Sequence, residues 1–199
     1  MSALHIALAT ALATQVSGAV PLSLEAQTRR FTITATNPVA QQLFDQGLRF
    51  VYASDYSEAE RSFRTARRID PTCAMCYWGE AFALGPNTER SMSAANDSAA
   101  HAAMRKATFH AHGVSSHERA YIRALARRYG SDAIATRQAR DSAYAKAMGE
   151  IVRAFPTDAN AAVLHAEAQL LLGPGPRQKG AQAALTVRFR GAPAPASRL

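Results

Sequence analysis

The chain has 199 residues, 48% hydrophobic and 8% aromatic, enough for one sizeable core or a short row of stacked repeats. Its net charge of +8 invites a nucleic-acid reading, but Arg177, Lys179, Arg188, Arg190 and Arg198 supply five of those charges within residues 173–199, where no acidic residue stands, leaving +3 elsewhere. No helix-turn-helix, zinc-finger or ribonucleoprotein signature accompanies that ordinary body, so specific nucleic-acid recognition is not expected and only diffuse contact of the tail with polyanions remains.

Residues 1–19 are apolar and uncharged, with His5 their only titratable side chain, and Ser17-Gly18-Ala19 offers small residues at a cleavage-compatible spacing. A secretory signal peptide is the favoured reading, although no Lys or Arg opens it; an ordinary N-terminal helix is the alternative. The expected location is therefore periplasmic or secreted, and otherwise cytoplasmic. No later stretch approaches about 20 consecutive apolar residues, so no transmembrane segment is expected. Residues 20–36 read as a polar linker.

From residue 37 the pattern is helical, and alanine recurs through residues 95–170, which suits helices that pack closely. No run alternates apolar and polar residues for long enough to argue for a half-buried sheet, so the expected class is all-α. Asn37-Pro38 opens the first helix, Asn as cap and Pro in the first turn, where its missing N–H is not needed. Asp55-Tyr56-Ser57-Glu58 has the form of a capping box and opens the second, which stops at Asp70-Pro71. The third spans about 72–84 and ends at Gly85-Pro86-Asn87; the fourth lies near 94–112. Ser115 with Glu118 is a further capping box and opens the fifth, which closes at Tyr129-Gly130. Asp132 is expected to cap the sixth, reaching Phe155-Pro156, and Asp158 the seventh, 159–172, before Gly173-Pro174-Gly175-Pro176.

Leu43, Gly47, Phe50, Ala59, Phe63, Ala66 and Pro71 fall at the signature offsets of a 34-residue tetratricopeptide repeat. Each type has a physical reason. Gly47 and Ala59 suit a close helix crossing, Leu43, Phe50 and Phe63 fill the space around it, and Pro71 ends the second helix. Ala74, Tyr77 and Ala81 continue the register, and Tyr144, Met148, Ile151, Ala159, Ala162 and Ala166 bring it back around Pro156. Pro71 and Pro156 lie 85 residues apart, where two periods of about 34 would give about 68, so a helix-sized insertion is expected between them.

On these residues, and on Phe44-Asp45-Gln46-Gly47-Leu48, Cys73 through Ala81, Glu118-Arg119-Ala120-Tyr121-Ile122 and His165-Ala166-Glu167-Ala168, the chain resembles a family of bacterial tetratricopeptide-repeat proteins, commonly large and carrying several repeats. The resemblance covers about residues 38–172. It implies a short right-handed solenoid of antiparallel helix hairpins that contacts other proteins and catalyses no named reaction. The family continues past this point with further repeats, whereas here residues 173–199 turn basic and rich in Ala, Gly and Pro. A low-complexity, disordered tail is expected, as from a truncated or frameshifted C-terminus.

Chemistry is sparse. Cys73 and Cys76 form the one C-x-x-C, and the pair reads three ways: small buried residues at the crossing of helices two and three, a local disulfide if the chain is exported, or a redox or metal-handling pair. No βαβ pattern surrounds it, Tyr77 stands where haem attachment needs His, and two further zinc ligands are missing. His101, His110, His112 and His117 read as solvated histidines near a helix end. No phosphate loop, nucleophile elbow or cofactor motif is present, and no cofactor is expected. The resemblance places the first helix of each pair along a concave groove. Phe44, Leu48, Tyr52, Trp78 and Phe82, set between packing positions, would line it and bind a protein partner. A groove with Phe44 and Leu48 lacks the Lys and Asn that grip a terminal carboxylate, and suits an amphipathic helix or the chain's own neighbouring segment. The same side chains read equally well as core.

Overall fold

The computed structural model of the chain describes residues 30–87, 90–129 and 136–173. The expected signal segment 1–19, Asp132 and residues 174–199 of the tail lie outside them. Among the described residues the regular structure is all helical: α1 (Pro38–Tyr52), α2 (Tyr56–Ile69), α3 (Ala74–Leu84), α4 (Ala94–His110), α5 (Ser116–Ala126), α6 (Arg137–Ala154) and α7 (Ala159–Leu171), with a single 3-10 turn, Ala111–Gly113, after α4.

Local chemistry sets these boundaries. The Asn37 side chain accepts from the Val39 amide with Pro38 in the first turn, and the Asp55 carboxylate accepts from the Glu58 amide. Ser115 and Glu118 form a reciprocal capping box at α5, and Asp158 accepts from the Asn160 and Ala161 amides at α7. Two further caps were not anticipated. Cys73 caps α3 through its sulfur, and Thr136 caps α6, accepting from the Ala139 amide.

Each helix packs mainly on its chain neighbours, while α1 also packs on α3 and α3 on α5. At the centre of the first three helices, Phe63 of α2 is fully buried between two glycines. A Cβ on Gly47 would lie 2.5 Å from its ring, and one on Gly79 2.3 Å. The group a side chain at Gly47 would meet first is therefore the Phe63 ring. Among the described residues, four helices, α3 to α6, occupy the interval between Pro71 and Pro156.

The last helix is tied back to the first. The Tyr52 hydroxyl, at the end of α1, donates to Asn160, and that of Tyr56 donates to Glu167 at 2.6 Å. Burial pushes the Glu167 carboxyl above the usual carboxylate range, and the Tyr56 hydrogen bond offsets only part of this. Between α5 and α6, Arg128 is buried with Nε 2.8 Å from Asp141 Oδ1 and its guanidinium over the Tyr144 ring.

Candidate functional site

Residues 30–36, expected as linker, are part of the folded unit. Phe31 and Ile33 are buried while Thr32, Thr34 and Thr36 are exposed, the alternation of an extended chain. The segment touches both α1 and α5, and among the described residues no strand receives it. Helix side chains hold its main chain instead.

Gln41 of α1 makes a two-sided clamp, accepting from the Ile33 amide at 2.8 Å and donating to the Phe31 carbonyl at 3.0 Å. Glu118 of α5 accepts from the Thr34 amide at 2.6 Å and from its hydroxyl at 2.7 Å. Asp70, the C-cap of α2, accepts from the Thr36 and Asn37 amides with one oxygen and from Thr72 with the other. Gln41, Asp70 and Glu118 are all buried polar groups, and their partners on this segment satisfy them. Burial raises the Asp70 carboxyl, but the hydrogen bonds from Thr72 and Thr36 outweigh it and hold the group below its ordinary range.

The Phe31 ring enters an aromatic cage. It stacks on His117 with centroids 5.0 Å apart, meets Tyr121 edge-on at 4.8 Å and tilts against Phe44 at 5.8 Å. Burying a side chain of this size contributes about 1.5–3 kcal/mol, and Ile33 adds a similar amount. His117 is consequently not a solvated helix-end residue. It is half-buried, with Nε2 2.7 Å from Asp158 Oδ2, and Tyr121 donates to the same oxygen. Burial raises the Asp158 carboxyl, yet these two partners and the Ala161 amide lower it further than burial lifts it.

Of the five residues expected to line a partner groove, Phe44 lies directly against this segment through Phe31. Phe44, Leu48, Trp78 and Phe82 are buried within the chain itself, Trp78 to 1% exposure. Trp78 stacks on Phe82 at 5.4 Å, meets Tyr121 edge-on, and donates its indole N–H to the Tyr121 carbonyl at 3.1 Å. Phe44 packs between Phe31, Phe63 and Trp78. Tyr52 alone keeps partial exposure, and its hydroxyl is engaged by Asn160. The face is thus an aromatic surface of α1, α3 and α5, and four of the five positions offer a partner no open contact area. What the sequence reading missed was the cover. Its signal was present in Phe31-Thr32-Ile33-Thr34-Ala35-Thr36, a period-two run of β-branched and aromatic residues.

Cys73 and Cys76 are joined by a disulfide, and both are buried. The bridge spans the first turn of α3, directly after the Asp70 turn. Among the described residues, no cluster of three or more His, Cys, Asp or Glu side chains is arranged to hold a metal ion, and no helix is long and apolar enough to cross a membrane. No protein-family model matches the chain, and no curated protein sequence matches it.

Proposed function

We propose that this protein is a binding scaffold rather than an enzyme, a short right-handed solenoid of tetratricopeptide-repeat type whose inner face holds an extended segment of protein chain. The pairing of α1 with α2, α3 with α4 and α5 with α6, and the lateral contacts of α1 with α3 and α3 with α5, are what such a solenoid requires. The observation that carries the reading is the way residues 30–36 are held. Gln41, Glu118 and Asp70 bind main-chain amides and a carbonyl, groups every peptide possesses, while one aromatic cage selects a ring. In this chain the inner face is filled in cis, so a partner segment enters by replacing residues 30–36.

A labelled synthetic peptide of residues 30–37 tests the reading. The double variant Phe31→Ser, Ile33→Ser loosens the resident segment and leaves the receiving side chains intact. Saturable anisotropy change with the variant, and much weaker change with the wild type, is the expected result. A variant that keeps its helical circular dichroism and cooperative melt yet ignores the peptide would remove the inner face as a receptor.

A further inference from the structure

A second surface shares no residue with the inner face. Helices α2 and α4 both pack on α3 but not extensively on each other. The side of α4 that faces the gap carries Ala99, Ala102 and Ala103, too small to fill it, so a cleft of about 580 Å³ remains, floored by Tyr77 and Glu80 of α3.

The charge of that cleft is one-sided. Arg64 and Arg67 stand on the α2 wall, and Arg105 and Lys106 on the α4 wall, with Glu80 the one carboxylate lining it. Glu80 is buried beneath the α2 pair, taking Arg64 Nε at 3.1 Å and both Arg67 Nε and an Arg67 terminal nitrogen. That carboxylate fixes the two guanidiniums in place, and Glu60 flanks Arg64. Arg105 and Lys106 are exposed and make no ion pair or side-chain hydrogen bond among the described residues. Beside them Phe109 is 71% exposed and offers a large apolar ring next to the two cations. Tyr77 continues the apolar strip, lying under Arg67 and stacked on His110.

We propose that this cleft docks an acidic segment of a partner protein, its carboxylates between the Arg64–Arg67 and Arg105–Lys106 walls and an adjacent apolar or aromatic side chain against Phe109 and Tyr77. The assignment rests on the scaffold reading above and names the chemistry of a partner for it. Charge complementarity favours an acidic ligand, and the guanidinium fork already matched to Glu80 shows the geometry that carboxylates meet there. A polynucleotide is less well served. The cations occupy one short cleft rather than a track along successive phosphates, and Glu80 and Glu60 stand among them.

The test uses the full chain and a fluorescein-labelled peptide of alternating Asp and Glu around one central Phe. A matched peptide with Asn and Gln in place of the acids, and a single-stranded oligonucleotide of equal charge, serve as comparisons. Saturable binding of the acidic peptide, weakened by added salt and reduced about tenfold or more by the double variant Arg105→Glu, Lys106→Glu, is expected. Phe109→Ser should weaken binding by a smaller factor without changing its salt dependence. Both variants retain the basic tail, so a loss in them places the site in the cleft. Unchanged binding by the charge-reversed variant, equal binding of the Asn/Gln peptide, or tighter binding of the oligonucleotide would each overturn the proposal. The Phe31→Ser, Ile33→Ser variant should bind the acidic peptide as the wild type does, which separates failure of this site from failure of the inner-face reading.

Discussion

The main-chain amide of Thr34 donates to Glu118 across 84 residues of sequence, and the same carboxylate closes the N-terminal turn of α5 through Ser115. One buried side chain therefore does two jobs. Replacing Ser115 by Ala removes the cap alone and should cost about 1 kcal/mol. Glu118→Ala keeps that cap, because the residue-118 amide still donates to Ser115, but strands the Ser115 and Thr34 amides, so it should cost about 1–3 kcal/mol more. Equilibrium denaturation of both variants gives the ordering. Equal losses would mean that residues 30–36 contribute nothing through this contact.

The two glycines around Phe63 rank a second pair of substitutions. A methyl at Gly47 meets the outer edge of the ring, whereas one at Gly79 meets its root, at Cδ1 and Cγ, which cannot swing aside. Gly79→Ala should therefore destabilise by about 1–3 kcal/mol, and Gly47→Ala by less. Phe63→Leu combined with Gly79→Ala should recover part of the loss, a coupling that independent sites would not show. Thermal melts of the two single variants and the pair decide it.

Trp78 is the chain's single tryptophan, so its emission reports one site. Buried to 1% and bonded to the Tyr121 carbonyl, it should emit in the blue and resist acrylamide quenching in the native protein. Red-shifted, readily quenched emission would restore the open groove that the helix pattern alone suggested.

Stability should depend on pH in two opposed ways. Asp70 and Asp158 have depressed folded-state values, so their contribution is complete above the unfolded carboxylate pKa of about 3.9 and is lost as pH falls through the folded values. Glu167 is raised, so its contribution is complete below the unfolded value of about 4.3 and is lost as pH rises through the folded one. Asp158→Asn should flatten the acid limb of a stability–pH curve, and Glu167→Gln should flatten the limb on the other side. Identical curves for wild type and both variants would contradict these assignments.

Much of the helical framework was legible because its signals are local. Asn37-Pro38, Asp55, Ser115 with Glu118, and Asp158 each cap the helix they were expected to open, since a cap is decided within four residues. Thr136 was missed because Asp132 offered the same chemistry earlier in the sequence. The aromatic face was legible too, as the stripe of Phe44, Leu48, Trp78 and Phe82. Helical periodicity says which residues share a face, however, and not what covers it. Tyr121 of α5 closes over Trp78, and residues 30–36 over Phe44, held by Gln41, Asp70 and Glu118, which lie up to 84 residues away and carry no mark of the pairing. The α2–α4 cleft was invisible for a similar reason. It arises from how far two helices stand apart, which alanine content permits but does not dictate.

Amide hydrogen exchange at Ile33, Thr34 and Thr36 tests the central claim most directly. These three N–H groups have no helix or sheet to protect them, only the Gln41, Glu118 and Asp70 side chains. If the inner face holds residues 30–36 as an extended segment, all three should exchange far more slowly than the same amides in an isolated peptide, and Glu118→Ala should speed Thr34 most. Exchange at free-peptide rates in the intact, folded protein would contradict it.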